Sequence, residues 1–510
     1  MSKIGALKIR SPGRNTATVK TGLLPLGIGF NLEGKIQKLL LFVNLLPICH
    51  FPVKLRDMKP KKGEELEVRV DRIAFGGKGI ADHDGFKIFV PDTCPGDLVR
   101  IQTGRVKKNY AEGRVQELIE PSEMRIEAKC KHFDTCGGCK FQFLKYEDQL
   151  SMKEQQVRDS IERLGGLDGS IVKSIIPCAE QWNYRNKMEL SFGPGKDGEV
   201  MLGFYPPGFH YEVFDLTECH LQDIAEIATK VRNWANELGL DHHDNKKNPE
   251  GLLRNLTIRE GKNTGEKMVI LNTSPAAFED RISFIQLFDE GTTVYWTQVF
   301  QEKGTKTRIE THHLAGKALL TESLRLKNDK ELFFDILPLA FFQTNTHQAE
   351  VLYSKVIELA ELTGEETVFD LYCGTGTIGL FCAHAAQKVV GVEINESSVK
   401  NARSNATRND ILNVSYYCGA VEKSLENLTD KPDVVIVDPP RSGLGDKVVE
   451  KVAAFESDRI IYVSCNPTTL ARDLKKFAEL GYETDAIHPV DMFPQTSHVE
   501  SVCRLTRSSS

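Results

Sequence analysis

Four short apolar runs in the last third of the chain, each handing over to polar residues at its end, restrict the fold more than any other feature. Thr367-Val368-Phe369-Asp370-Leu371 leads into Tyr372-Cys373-Gly374-Thr375-Gly376-Thr377, and Ile378-Gly379-Leu380-Phe381 then opens a helix. Val389-Val390-Gly391-Val392 ends in Glu393, Val434-Val435-Ile436-Val437 in Asp438-Pro439-Pro440-Arg441, and Ile460-Ile461-Tyr462-Val463 in Ser464-Cys465-Asn466-Pro467. Continuous apolar runs of this length, separated by helical stretches, describe strands of a parallel sheet buried on both faces. Residues 336–510 therefore read as an α/β, Rossmann-like domain. Ligands of such open sheets bind beyond the carboxyl ends of the strands, so the polar run-outs face one crevice.

At 510 residues the chain exceeds what one core organises, and two to four domains are expected. Residues 58–121 carry short alternating β runs with Gly and Pro turns and end in a basic hairpin, Arg105 to Arg114, with Tyr110 interleaved. That pattern predicts a small, OB-like β-barrel and tilts it toward RNA. Residues 122–335 read as a mixed α+β central domain, opening with a cysteine-rich loop and a polar helix from about Tyr146 to Leu164 that stops at Gly165-Gly166. Residues 1–57 precede the organised sequence, with Met58 just before it, and are expected to be an upstream-start artefact or a dispensable extension. Their apolar run Leu39–Leu46 is too short to span a bilayer and is broken by Asn44, so no membrane partner is expected.

A net charge of −6 excludes a globally basic nucleic-acid binder and leaves any such contact to local patches. Lys54, Arg56, Lys59, Lys61 and Lys62 form one patch; Arg100, Arg105, Lys107, Lys108 and Arg114 form another. Twelve cysteines without regular spacing point away from a secreted disulfide scaffold and toward a reducing, cytoplasmic setting.

Glycines at a strand-to-helix turn let a ligand approach the backbone near the positive end of a helix. Glu393, nineteen residues after Gly374, can accept both hydrogen bonds of a ribose diol. The turn lacks the third spaced glycine of the dinucleotide fingerprint and any Gly-Lys-Ser/Thr, which disfavours phosphate-bearing cofactors. A nucleoside without phosphate, such as S-adenosylmethionine, fits better; a generic βαβ crossover is the plainer alternative.

Cys465 and Glu500, the latter in His498-Val499-Glu500-Ser501-Val502, give the crevice a thiol and a carboxylate. Carbon 5 of uracil is a poor nucleophile until a thiolate adds to carbon 6, and a base must later remove the carbon 5 proton. A thiol, a carboxylate and a methylsulfonium in one pocket match that need. The plainer alternatives are a small buried hydrophobe for Cys465 and a surface strand residue for Glu500. Amino-methylating enzymes carry an aromatic after a similar Pro-Pro, whereas Arg441 stands here, which argues against an adenine or cytosine amine.

The run Asp370–Gly376, the loop Asp438-Pro439-Pro440-Arg441, Ser464-Cys465-Asn466-Pro467, and Phe493-Pro494-Gln495-Thr496 with His498-Val499-Glu500 closely resemble the RNA uracil-5 methyltransferase family. The N-terminal barrel resembles a TRAM domain. The resemblance runs from about residue 60 to the end. It implies Cys465 as nucleophile, Glu500 as proton acceptor, and cofactor contacts by Gln343, Tyr372, Glu393 and Asp438. Some members of the family have Asn where Thr377 stands, so no contact is carried onto that position.

Cys130-x5-Cys136-x2-Cys139 lies in one loop, and Cys219 follows eighty residues later. Four thiolates hold either zinc or an iron–sulfur cluster, and spacing alone leaves both open. The ribosomal-RNA branch of the family carries a [4Fe-4S] cluster on this pattern, so the resemblance implies a structural cluster and 23S rRNA as substrate. A radical enzyme would want Cys-x3-Cys-x2-Cys, which is not the spacing here. The other cysteines are given no role. A cytoplasmic monomer with RNA as its partner is expected; the same reaction on the tRNA T-loop, or a non-catalytic RNA-binding assembly factor, is the competing reading.

Overall fold

Alternation of apolar and polar residues shapes the first domain. In β1 (Glu65–Ile73) Val68 and Val70 point inward while Glu67, Arg69 and Asp71 stay exposed. β2 (Gly79–His83), β3 (Phe86–Val90), β4 (Leu98–Val106) and β5 (Tyr110–Glu120) follow, and the order β1-β2-β3-β5-β4 closes into a barrel around Ile88, Val99 and Ile101. Closure leaves no sheet edge open to stray pairing. The second basic patch is less free than its sequence suggests at one position. Arg100 pairs with Glu67 at 2.8 Å and also with Glu117, while Arg105, Lys108 and Arg114 stay exposed.

The computed structural model describes residues 59–508 except Lys196, His210, Tyr211, Glu302, Lys303, Asn328 and Asp329. The expectations for residues 1–57, including Lys54 and Arg56, lie outside the described residues.

α1 (Tyr146–Ser160) is the polar helix expected after the cysteine loop, with one difference at its end. Ile161–Gly165 widen into a π turn before left-handed Gly166 (φ 66°) stops it. The widened turn brings Gly165 so close to the backbone that an added Cβ would stand 3.3 Å from the Ala471 carbonyl oxygen.

The central region is the expected α+β unit. β6 (Lys187–Pro194), β7 (Val200–Phe204), β8 (Phe214–Asp215), β9 (Leu253–Glu260), β10 (Lys267–Thr273), β11 (Thr293–Phe300) and β12 (Arg308–Ala315) form one sheet, ordered β12-β11-β10-β9-β6-β7-β8. Only β10 and β11 run parallel. α2 (Ala225–Glu237) and α3 (Arg281–Ile285) pack Val231, Trp234 and Phe284 into its core. The hairpin of β13 (Leu320–Arg325) and β14 (Glu331–Ile336) leads to α4 (Thr346–Ala360), capped by the Asn345 side chain on Gln348 N–H.

The last third alternates β15 (Thr367–Leu371), α5 (Thr377–Cys382), β16 (Lys388–Glu393), α6 (Glu396–Arg408), β17 (Val414–Cys418), α7 (Val421–Ser424), β18 (Val434–Val437), α8 (Asp446–Ala453), β19 (Arg459–Ser464) and α9 (Pro467–Glu479). β20 (Tyr482–Val490) and β21 (Glu500–Arg507) complete a sheet ordered β17-β16-β15-β18-β19-β21-β20. β18 is buried throughout, as its unbroken Val-Val-Ile-Val run requires. The expected parallel sheet holds for β15 to β19, and β21 then runs antiparallel to both its neighbours. Chain direction across the sheet reverses between β15 and β18, the switch point where such folds bind ligands.

Asp97, fully buried, ties the barrel to the segment that follows it. Its carboxylate accepts hydrogen bonds from Cys94 N–H (2.7 Å), Ser122 N–H (2.9 Å) and two Arg125 nitrogens (both 2.8 Å). Burial alone would raise its pKa, but the bonds from Arg125, Cys94 and Ser122 together outweigh that and hold it below the ordinary carboxylate range. A depressed folded-state pKa stabilises the fold above the unfolded value of about 4, and that stability is lost as pH falls through the lower folded value. Asp97→Ala is expected to cost about 3 kcal/mol at neutral pH, because it strands the Arg125 charge. Urea unfolding measures the loss, and the variant should show a shallower fall in stability below about pH 4.

Candidate active site

The antiparallel direction of β21 decides the site. Ser464 pairs with Ser501 across β19 and β21, so carrying the register one step on sets Cys465 opposite Glu500. The start of β21 therefore lies at the same sheet edge as the carboxyl ends of β15, β18 and β19. Asp438, just past β18, donates its N–H to the Leu371 carbonyl at 3.3 Å and joins that edge. Asn466 fixes the turn after Cys465 in two directions. Its side-chain oxygen caps α9 at Thr468 N–H (3.0 Å), and its amide donates to the Arg441 carbonyl (3.0 Å).

Electrostatics bind these groups together. Burial pushes the Cys465 thiol up to about 11, with Glu500 and Asp438 adding to the rise and Arg441 opposing it. Glu500 is only 5% exposed. Burial raises its carboxyl well above the usual range, Asp438 adds, and Arg441 again opposes. Burial alone lifts Asp438 to about 7. The site thus holds its protons near neutrality and offers one cation to draw them off.

The glycine turn forms the other half of the crevice. Gly374 (φ 54°) and Gly376 (φ 81°) are left-handed, and a Cβ added at Gly374 would meet nothing within 4 Å. A Cβ at Gly376 would come within 2.5 Å of the Tyr416 hydroxyl, so only glycine serves there. Gln343, Tyr372 and Asp438 line one cavity of about 40 Å³ with Gly374 and Thr375. Glu393 stands behind it, accepting from Gly374 N–H at 3.2 Å and Asn395 N–H at 2.7 Å.

The four cysteines Cys130, Cys136, Cys139 and Cys219 line a second cavity of about 400 Å³. Polar bonds bring the distant Cys219 there. Lys131 N–H donates to the Glu218 carboxylate at 2.6 Å, and His132 Nε2 lies 2.9 Å from the Thr217 hydroxyl. Burial raises Cys130 to about 11 and Cys139 to about 12, with the neighbouring cysteines adding to both. Among the described residues no group of three or more His, Cys, Asp or Glu side chains is arranged to hold a metal ion. Phe341 and Phe342 line both cavities and separate the thiols from the glycine turn.

Several residues of the site gave no functional signal in the sequence. Arg441 served only to exclude an amine target, yet it is the cation that opposes both Cys465 and Glu500. Asp370 lies inside the glycine motif, and its carboxyl rises to about 7 through burial, with Asp438 and Glu393 adding and a bond from Gly379 N–H opposing. His498 is kept neutral, pushed down to about 4 by burial and then by Arg441, Lys153 and Arg185. Their positions beside recognised motif residues were the available clue.

Residues 303–508 match the family model described as tRNA (Uracil-5-)-methyltransferase, and residues 59–116 match that of the TRAM domain. An RNA methyltransferase of Halalkalibacterium halodurans is 37% identical over 453 residues, spanning 87% of this chain and 97% of its own. One from Clostridium tetani is 37% identical over 462 residues, spanning 88% and 98%. Among solved structures, the Pyrococcus abyssi tRNA (uracil-54, C5)-methyltransferase in complex with S-adenosyl-L-homocysteine is 29% identical with a TM-score of 0.69, covering 86% of this chain and 100% of that one. The chain belongs to the RNA uracil-5 methyltransferase family, with an N-terminal TRAM barrel. It is an RNA methyltransferase.

With its thiol raised to about 11, Cys465 should alkylate with iodoacetamide about tenfold faster per pH unit up to about pH 10. An ordinary thiol of pKa about 8.5 has levelled off by then. Peptide mass spectrometry follows the residue, and a plateau by about pH 9 would contradict the burial described.

Proposed function

We propose that this enzyme methylates carbon 5 of a uracil in large-subunit ribosomal RNA, with S-adenosylmethionine as donor, Cys465 as nucleophile and Glu500 as proton acceptor. The observation that supports the reading is the β19–β21 register, which ends with Ser464 beside Ser501 and so brings Cys465 and Glu500 to one sheet edge, where Glu500 raises the Cys465 thiol.

Gln343, Tyr372, Glu393 and Asp438 would hold the donor. The donor set suits such a ligand: Gly374 leaves open space at the turn, and Gln343, Tyr372 and Asp438 bring polar groups to the same cavity. When bound, the donor supplies an electrophilic methyl group to this edge of the sheet. The target base has to leave its stack to reach so recessed a slot. The Cys465 thiolate adds to carbon 6, and the electrons of the carbon 5–carbon 6 double bond move toward the carbonyl oxygen at carbon 4. Carbon 5 would take the methyl group as the methyl–sulfur bond of the donor breaks and leaves a neutral thioether, and it would then carry both a methyl and a proton. Glu500 removes that proton, the double bond re-forms, and the carbon 6–sulfur bond breaks to return the thiolate. A raised carboxyl pKa makes Glu500 a stronger base for this task, and Arg441 favours the ionised forms of both partners.

The cysteine cavity suits a [4Fe-4S] cluster held by Cys130, Cys136, Cys139 and Cys219. All-sulfur donors select soft metals. The cluster would be structural, pinning the cysteine loop to the central sheet. Protein purified without oxygen is expected to be brown and to carry iron and sulfide in equal amounts; colourless protein with zinc would decide for the ion.

TRAM barrel and cysteine site together support ribosomal RNA as substrate in the family resemblance. The Pyrococcus abyssi enzyme gives a specific ground for a second reading, since its whole chain matches this one and its substrate is tRNA. A cytoplasmic monomer fits either case; among the described residues no helix is long and apolar enough to cross a membrane.

Cys465→Ala should abolish methylation while leaving RNA affinity largely intact, and Glu500→Gln should accumulate a covalent, methylated protein–RNA adduct. Turnover by Cys465→Ala would eliminate the covalent mechanism. Mapping 5-methyluridine by mass spectrometry in RNA from cells lacking the protein decides between ribosomal RNA and tRNA.

A further inference from the structure

The segment Asp491–Ser497, which leads into Glu500, is held from outside the methyltransferase sheet along most of its length. Lys153 of α1 donates to Asp491 Oδ1 at 2.6 Å and to the Phe493 carbonyl at 3.0 Å, and Tyr146 donates to Asp491 Oδ2 at 2.9 Å. Both members of the Lys153–Asp491 pair are fully buried. Gln149, one helical turn earlier, makes a reciprocal pair with Gln495. Its oxygen accepts from Gln495 N–H at 3.0 Å, and its amide donates to Gln495 Oε1 at 3.0 Å. The Gln495 carbonyl in turn accepts from Lys140 and Phe141 N–H at 2.9 and 3.0 Å, immediately after Cys139. The barrel closes the other side, since a Cβ on Gly77 would stand 3.0 Å from the Ser497 Cβ.

Two features show that this grip exceeds what folding requires. A buried ion pair is commonly no more stabilising than apolar side chains of the same shape, because both charges lose their water. Gln495 also sits at φ 68°, a left-handed conformation that a non-glycine residue keeps only where its surroundings over-determine it. The segment is thus held against a local preference, three residues before the carboxylate that has to meet carbon 5.

We propose that Lys153 and Gln149 are positioning residues for Glu500: α1 fixes the Asp491–Ser497 segment so that the carboxylate meets the carbon 5 proton after methyl transfer. This rests on Glu500 being the proton acceptor. Neither residue touches the reacting atoms. Their effect falls on the last step, proton removal and release of the thiolate, more than on RNA binding.

The double variant Lys153→Met/Asp491→Asn removes both charges at nearly constant shape and keeps an acceptor for Tyr146. Alongside Glu500→Gln, it is assayed for thermal midpoint, KM for RNA, kcat and denaturant-resistant protein–RNA adduct. The expected result is a folded protein with unchanged KM, kcat lower by about tenfold or more, and methylated adduct accumulating as it does in Glu500→Gln. Wild-type kcat in the folded variant would overturn the proposal, and so would a lower kcat without adduct. If Glu500→Gln itself turned over normally, the assignment of the base would fall first and this inference with it. Should the double variant not fold, Gln149→Met carries the same readouts; failure of both to fold would show that these residues serve folding alone.

Discussion

The pairing of β21 with β19 is the constraint on which the rest of the catalytic region depends. A parallel last strand would present its carboxyl end, near Arg507, at the ligand edge and carry Glu500 to the far side of the sheet. Because β21 returns antiparallel, its first residue arrives beside the last residues of β19, with Ser464 and Ser501 in register. Cys465 and Glu500 thus come to the same edge of the sheet, next to strands whose side chains are mostly buried. Groups at strand ends drift less than groups on free loops, which matters where the proposed reaction needs two of them to act in turn on adjacent carbons of one ring.

Burial then does two opposing things to the chemistry. It removes water that would compete for the target base, and it drives the thiol and both carboxyls toward their protonated forms. Asp438 raises both Cys465 and Glu500 further, Glu500 adds to the rise of Cys465, and Arg441 is the counterweight that acts on both Cys465 and Glu500. An acid held neutral in a dry pocket becomes a capable base once ionised, so the penalty on its charge is also the source of its proton affinity. Asp370 and Asp438, both lifted to about 7, extend the same pattern to the glycine turn.

How much of this was legible in the sequence depends on the length scale of the cause. The strands β15, β16, β18 and β19 were readable because a strand buried on both faces must be apolar throughout, and the residues after each run had to face the crevice. Strand direction leaves no such mark in composition, so the antiparallel course of β21 was not readable, although Glu500 was legible as a carboxylate of the last β segment. Cys219 lies eighty residues from its partner loop and is delivered by bonds from Thr217 and Glu218, which have no periodicity to betray them. α1 was legible as a polar helix but not in what it packs against, because its buried face carries Gln149, Lys153 and Gln156 among only a few apolar residues. Hydrophobic patterning finds faces that bury hydrocarbon; it is blind to a face buried to make hydrogen bonds.

That blindness has a physical reason beyond method. A polar face can be buried only if nearly every group finds a partner, and the partners here come from the barrel-flanking loop, the cysteine loop and the segment before β21 together. Gln149 bonds the Phe141 and Leu144 carbonyls as well as Gln495, so one side chain joins the end of the cysteine loop to the catalytic sheet. Such a junction can form only after all its contributors have been brought together, unlike an apolar helix face that gains from any hydrocarbon it meets. It therefore acts as a check on assembly. Its bonds tie α1 and the end of the cysteine loop to the segment before β21, so the geometry of that segment depends on contacts from outside the methyltransferase sheet.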